Sequence, residues 1–302
     1  MDLIATEGIE KRFGQLTALR DISLRVRRGE LYGLIGPDGA GKTTFFRILT
    51  TLMLPDGGRA TVDGLNIATD YRRIRAAVGY MPGRFSLYPD LTVKENLEFF
   101  ATLFGTRLED NYDLIRDIYV QIEPFRSRRA GRLSGGMKQK LALCCALIHR
   151  PRVLFLDEPT TGVDVVSRHE FWDMLSGLKR QGITMLVSTP YMDEAVRCDR
   201  IALIQSGRLL SIDTPGGIIE NYPDALFEVR AENMRQLTDE IRKRCSPQSC
   251  FAFGRSLHVS FSRDDAEAPH RMRAALTAAG CTNLEIAPIT PSIEDCFIQQ
   301  MR

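Results

Sequence analysis

Several things are missing from this chain of 302 residues, and each absence excludes something. No stretch reaches the ~18–20 consecutive apolar residues that a membrane-crossing helix needs, so any work at a membrane is expected to rely on something else that crosses it. The opening Met1-Asp2-Leu3-Ile4-Ala5-Thr6-Glu7 has neither the basic start nor the apolar run of a secretory leader. The seven cysteines include no metal-type CxxC pair. An odd, irregular set fits a reducing cytosol better than a disulfide framework. A dominant charge is lacking too: 40 basic and 38 acidic residues leave +2, without the clustered basic excess of a nucleic-acid binder. The run Arg126-Ser127-Arg128-Arg129, continuing to Arg132, reads as a solvated helix end, with a phosphate or acidic-lipid contact as the alternative. Internal repeats and low-complexity segments are absent.

What remains is an ordinary globular composition, 44% hydrophobic and 26% charged, long enough for about two domains. Residues 17–27 alternate as a half-buried antiparallel strand, and 31–35 form a short buried strand running into a glycine-rich turn. A helix is predicted over 43–52. From 85 to 150 the pattern is helical; Phe99, Phe100, Leu103 and Phe104 form a broad apolar face, and 141–148 is a buried helix. Apolar runs at 153–156, 183–187 and 201–204, separated by helical stretches, predict a mainly parallel α/β sheet. Composition shifts at Pro215-Gly216-Gly217 and Tyr222-Pro223-Asp224. The later order is strand, helix (232–244), two strands, helix (264–279), strand. That βαββαβ order predicts a small ferredoxin-like α+β domain over 223–302, closed by a last helix over 292–301.

The chemistry is concentrated in four places. Gly36-Pro37-Asp38-Gly39-Ala40-Gly41-Lys42-Thr43-Thr44 follows a strand and opens a helix, the context of a phosphate-binding loop. Its glycines let backbone N–H groups approach phosphates, and the helix start adds positive potential. Lys42 is expected to reach the β- and γ-phosphates of ATP, and the Thr43 hydroxyl to ligate Mg2+. A second buried strand ends in Asp157, placed to hold the metal's water shell, and Glu158 follows as the base that orients the attacking water.

With Leu133-Ser134-Gly135-Gly136-Met137-Lys138-Gln139 and Thr161-Gly162-Val163-Asp164, these motifs resemble the nucleotide-binding domain of ABC transporters over about residues 1–220. The resemblance implies a RecA-like P-loop core with an antiparallel β subdomain and a helical subdomain at about 84–150, within a domain over 1–222. It also implies a head-to-tail dimer with a second ABC ATP-binding domain, each ATP lying between one phosphate loop and the other chain's signature. Ser134, Gly135 and Gly136 would then serve the partner's ATP, for which a hydroxyl and N–H groups at a helix start are suited. Asp164 resembles the aspartate that couples the two sites. Phe13 stands where the family stacks an aromatic on adenine; a plain core phenylalanine is the alternative.

Three departures follow from the same resemblance. Asp38 stands where asparagine is common, with little effect expected. Gly83, in Tyr80-Met81-Pro82-Gly83, replaces the glutamine that reports nucleotide state. Pro190, in Val187-Ser188-Thr189-Pro190, replaces the histidine that touches the γ-phosphate, and proline has neither a side-chain donor nor an N–H. Losing one such contact slows chemistry by ~100–1000-fold, unless Tyr191 or a water substitutes. The expectation is a site that binds ATP and hydrolyses it slowly, and a signature that completes a competent site on a different partner. A homodimer would hold two impaired sites. Arg84-Phe85-Ser86-Leu87-Tyr88-Pro89 lies where the family receives its membrane permease, with Phe85 and Tyr88 as anchors or as core. The ending Ile293-Glu294-Asp295-Cys296-Phe297-Ile298 resembles multidrug and antibiotic efflux ATPases, implying a cytoplasmic subunit on the inner face of the membrane. The alternatives are an ATP-binding regulatory subunit without useful hydrolysis and a soluble non-transport ABC ATPase.

Overall fold

Alternation near the N-terminus gives β1 (Asp2–Phe13), β2 (Leu16–Ile22) and β3 (Arg25–Arg27) in the computed structural model, which describes residues 1–84 and 86–301. The stretch 17–27, expected as one strand, breaks after Ile22. Gly8 N–H donates to Ser23 Oγ at 2.8 Å and Leu24 N–H to Thr6 Oγ1 at 2.9 Å, so side-chain oxygens take ladder positions. Next come β4 (Leu31–Ile35), α1 (Lys42–Leu49), β5 (Gly57–Val62), β6 (Leu65–Asn66), α2 (Tyr71–Ala77) and β7 (Val78–Met81). An antiparallel sheet has the order β2-β1-β5-β6, with β3 also on β1. Helix α1 is shorter than the expected 43–52. Thr50 Oγ1 donates to Phe46 O at 2.8 Å, and Thr51 takes φ 62°, a left-handed conformation that ends the helix.

Three helices follow: α3 (Val93–Leu103), started by a Thr92–Glu95 capping box, α4 (Tyr112–Tyr119) and α5 (Gly135–Leu147). Helix α3 buries Val93, Asn96, Leu97 and Ala101, while Phe99 and Leu103 are exposed. The face that packs inward is set by the i, i+4 series from Val93; Phe100 and Phe104 are half-buried, while Phe99 and Leu103 are left at the surface. There Phe99 meets Tyr88 edge-on at 4.8 Å. Phe85 lies outside the described residues.

The apolar runs become β8 (Val153–Asp157), then, after α6 (Val165–Arg180), β9 (Thr184–Thr189) and β10 (Arg200–Gln205), with β11 (Arg208–Asp213) as a hairpin partner. The sheet order is β11-β10-β4-β9-β8-β7, parallel except for β11. β4 and β8 are buried at every residue, as strands covered on both faces must be. Phe46 of α1 packs edge-on against Phe155 at 6.1 Å. Register pairs Ile35 with Thr189 and Asp157 with Ser188, so the loops after β4, β8 and β9 leave the same sheet edge. Ligands of open α/β sheets bind at that edge.

The chain divides into two compact units, Met1–Pro215 and Gly216–Arg302, with α7 (Pro215–Glu220) at the division. The expected border after 222 falls between α7 and β12 (Asp224–Arg230). The second unit continues with α8 (Met234–Arg244), β13 (Ser249–Phe253), β14 (Ser256–Ser262), α9 (Ala268–Ala278), β15 (Glu285–Pro288) and α10 (Ile293–Gln300). Its antiparallel order β13-β14-β12-β15 is ferredoxin-like, with Leu237, Ile241, Met272 and Leu276 of the helices in one core with Val229, Leu257 and Val259. Among the described residues no helix is long and apolar enough to cross a membrane.

Candidate nucleotide site

The loop between β4 and α1 turns through Gly41 at φ 105°, where a Cβ would stand 2.7 Å from Ala18 O. Only glycine fits there. The turn delivers Lys42 into a nearly buried position, where its Nζ donates to Gly36 O at 2.7 Å and Pro37 O at 2.9 Å. The same ammonium lies 3.0 Å from Glu158 Oε1. Glu158 itself stands just past β8 at φ 51°, and its N–H donates to both Ser188 O and Ser188 Oγ at 3.0 Å. A non-glycine residue held in the left-handed region is a strained one, of a kind that clusters at functional sites.

Asp157 is buried, and Ser188 Oγ donates to its Oδ1 at 2.7 Å. Burial pushes its carboxyl above the ordinary aspartate range, opposed by hydrogen bonds from Ser188 and Thr43. Thr43 and Asp157 are thus in contact, in an environment that favours added positive charge. Among the described residues no three His, Cys, Asp or Glu gather as a metal cage. A magnesium ion held by one carboxylate, one hydroxyl and phosphate oxygens requires none, so Thr43 and Asp157 fit it.

A cleft of about 400 Å³ opens beside these groups, lined among others by Phe13, Gly39, Gly41, Lys42, Thr43, Thr44 and Glu158. Phe13 is 46% exposed, so the core-phenylalanine alternative does not hold. Ala40 is buried beneath the loop, and its carbonyl accepts from Gly207 N–H at 2.9 Å; Asp38 is exposed and does not line the cleft. Thr17, Ala18 and Ser206 also line it and had no signal in the sequence. Ser188, which bonds both carboxylate residues, lay inside a quoted motif without a role.

The two degenerate positions flank the carboxylates from different loops. A Cβ on Gly83 would come within 2.9 Å of Asp157 O and 3.6 Å of Glu158 Cβ. Pro190 directly follows Thr189, the end of β9. Tyr191, one of the two alternatives to the missing histidine, has its ring 4.0 Å from the Arg168 guanidinium.

Ser134, Gly135, Gly136 and Asp164 do not line the cleft around Lys42. Ser134 caps α5, accepting from Met137 N–H at 3.3 Å, and both it and Gly135 are exposed. Asp164 is exposed at the start of α6, where the Ser167 backbone N–H donates to its Oδ1 at 3.0 Å. That bond and one from the Ser167 side chain hold its carboxyl below the usual range.

A family model described as ABC transporter matches residues 19–161. A probable multidrug ABC transporter ATP-binding protein of Escherichia coli, YbhF, is 37% identical over 302 residues, 98% of this chain and 51% of that protein. The chain therefore spans about half the length of that relative. A Nod factor export ATP-binding protein I of Burkholderia lata is 36% identical over 300 residues, covering 97% of this chain and 94% of that one. A bacterial ABC transporter cassette solved as a dimer superposes with a TM-score of 0.63 at 25% identity, covering 70% of this chain and 98% of that one.

Proposed function

The chain belongs to the ABC transporter family of ATP-binding proteins, and on that premise we propose that it is the ATP-binding subunit of an exporter whose own site turns over slowly. ATP sits against the phosphate loop with its base on Phe13. Lys42 leaves Glu158 for the β- and γ-phosphates, and Thr43 and Asp157 hold Mg2+. Glu158, released from Lys42, orients the attacking water. Ser134, Gly135 and Gly136 complete a site on a second ABC domain, with Asp164 beside it. A different chain that keeps its glutamine and histidine gives that pair one competent site.

The observation that carries this reading is the position of the two departures. Gly83 and Pro190 bracket the Asp157–Glu158 strand end, while the capped Ser134–Gly136 turn is intact. Tyr191 has its ring stacked on the Arg168 guanidinium, which fixes where its hydroxyl can reach. The named roles of the relatives, multidrug transport and Nod factor export, favour export. The exposed side of Tyr88, Phe99 and Leu103 suits a permease at the inner face of the membrane, since a solvent-facing apolar patch calls for a partner.

Steady-state ATP turnover of the purified chain tests the reading, alongside Pro190→His and Glu158→Gln. Tight ATP binding with turnover ~100-fold or more below that of the Pro190→His variant is expected, with Glu158→Gln abolishing what remains. Robust wild-type turnover that depends on Glu158 but is indifferent to Pro190→His would overturn it.

A further inference from the structure

One buried carboxylate outside the nucleotide cleft joins three segments that the cleft and the signature depend on. Glu194, 4% exposed, accepts from Thr189 Oγ1 at 2.5 Å and from Thr160 Oγ1 at 3.1 Å. Thr189 immediately precedes Pro190, and Thr160 lies just beyond Glu158. The other oxygen of Glu194 accepts from Arg168 Nε at 3.0 Å, and Arg168 Nη2 reaches both oxygens of Asp193 at 3.2 and 3.0 Å. Arg168 projects from the first turn of α6, whose N-cap is Asp164. On the neighbouring residue of that turn, Ser167 Oγ stands 2.8 Å from where a Cβ on Gly136 would lie. The first turn of α6 therefore touches the start of the signature helix through Ser167 and the segment after Pro190 through Arg168. A second tie, Arg197 to Asp173 at 3.0 Å, fixes the same two elements further along.

We propose that Arg168 and Glu194 are positioning residues that clamp the segment after β9 to the first turn of α6, and so fix how Asp164 and the Ser134–Gly136 turn are presented to a second nucleotide site. Neither side chain touches nucleotide in this role. A largely buried, multiply bonded ion pair suits it, because such pairs contribute registration more than net stability, and losing one partner strands the buried Glu194 charge. The planar guanidinium is required: it bonds Glu194 along one edge and Asp193 along another while stacking on Tyr191, and an ammonium cannot do all three. The inference rests on the reading that the signature serves a second site.

The test uses the full chain with Arg168→Met and Arg168→Lys. Three readouts are compared with wild type: affinity of the monomer for a fluorescent ADP, ATP-driven self-association by sedimentation, and hydrogen exchange over 134–138 and 164–168. ADP affinity should stay within about twofold, since the cleft is untouched. Association should weaken by about tenfold or more in Arg168→Met, with partial recovery in Arg168→Lys. A parallel fall in ADP affinity and association, or association unchanged in both variants, overturns the clamp. Should Arg168→Met not fold, the same split in Arg168→Lys decides. If wild type does not self-associate with ATP, the second site belongs to a different chain and the association arm gives way to hydrogen exchange. Exchange over 134–138 then decides: faster in Arg168→Met and slowed again in Arg168→Lys supports the clamp, and no change refutes it.

Discussion

The phosphate loop with its carboxylates and the signature turn with Asp164 are two anion-facing devices on one chain, built to different standards of completeness. In the first, the groups proposed to grip phosphate are present, Lys42 is paired with Glu158 at 3.0 Å, and the loops proposed to add polar contacts offer Gly83 and Pro190. In the second, Ser134 caps its helix, Gly135 is exposed and Asp164 is bonded in place. Binding needs positive charge and backbone donors, which tolerate the two losses. Chemistry needs donors aimed at charge that develops only in the transition state, and on the proposed reading these are the groups missing from the Glu158 side. One chain can thus bind at one device and contribute to catalysis at the other.

The largest expected effect comes from removing the grip itself. Lys42→Ala deletes the only ammonium the cleft presents among its described lining residues, and with it charge-assisted bonds to two phosphates. Nucleotide affinity measured by fluorescence titration should fall by about 100-fold or more, because each such bond contributes about 1.5–3 kcal/mol. A Ser134 or Asp164 variant in the same titration should bind as wild type does. If both kinds of variant lost affinity together, the two devices would not be separable.

A smaller effect contrasts glycines on the two sides. Gly83→Ala drives a Cβ to 2.9 Å from the Asp157 carbonyl, a contact that the strand end must yield to relieve. A loss of about 1–3 kcal/mol is expected, seen as a lower midpoint in denaturant. Gly83→Gln carries the same Cβ, so restoring the family residue should destabilise the chain without restoring a reporter. Gly135→Ala, whose Cβ would meet nothing closer than Gly162 O at 3.6 Å, should leave stability within about 1 kcal/mol. Equal costs at the two positions would refute the idea that Gly83 is shaped by the carboxylates.

The phosphate loop, the Asp157–Glu158 pair and the signature were legible because each works through contiguous residues, so spacing along the chain equals geometry. The ferredoxin-like order of the second unit was legible from alternating strand and helix patterns. Long-range contacts were not. That Gly83 abuts Asp157 O, or that Ser188 bonds the Asp157 carboxylate and the Glu158 backbone N–H from 31 and 30 residues away, depends on which strands are neighbours. The Arg168–Glu194 pair, 26 residues apart, had no local signature at all. The apolar face of α3 was read without what covers it for a related reason: periodicity identifies an apolar side but not whether the core or a partner lies against it, and Leu103 is 63% exposed. The stretch 17–27 was misread because side-chain oxygens of Thr6 and Ser23 can replace ladder partners, which alternation does not encode.

The smallest expected effect separates the two jobs of Ser134. Its hydroxyl caps α5 through the Met137 N–H at 3.3 Å, and in the proposed paired assembly the same hydroxyl would face the second chain's phosphate. Ser134→Ala removes both functions, and the cap alone contributes about 1 kcal/mol, a small shift in a denaturant midpoint. Ser134→Asp keeps a capping acceptor and adds a charge that the helix start favours, so stability should match wild type or exceed it slightly. Against phosphate, however, the same carboxylate is repelled. ATP-driven association should therefore fail in Ser134→Asp while its folding is intact, and weaken less in Ser134→Ala despite the lower stability. The reverse ranking would mean that Ser134 matters for the helix and not for a second nucleotide, and the contrast between the two devices would reduce to one working site and one well-capped helix.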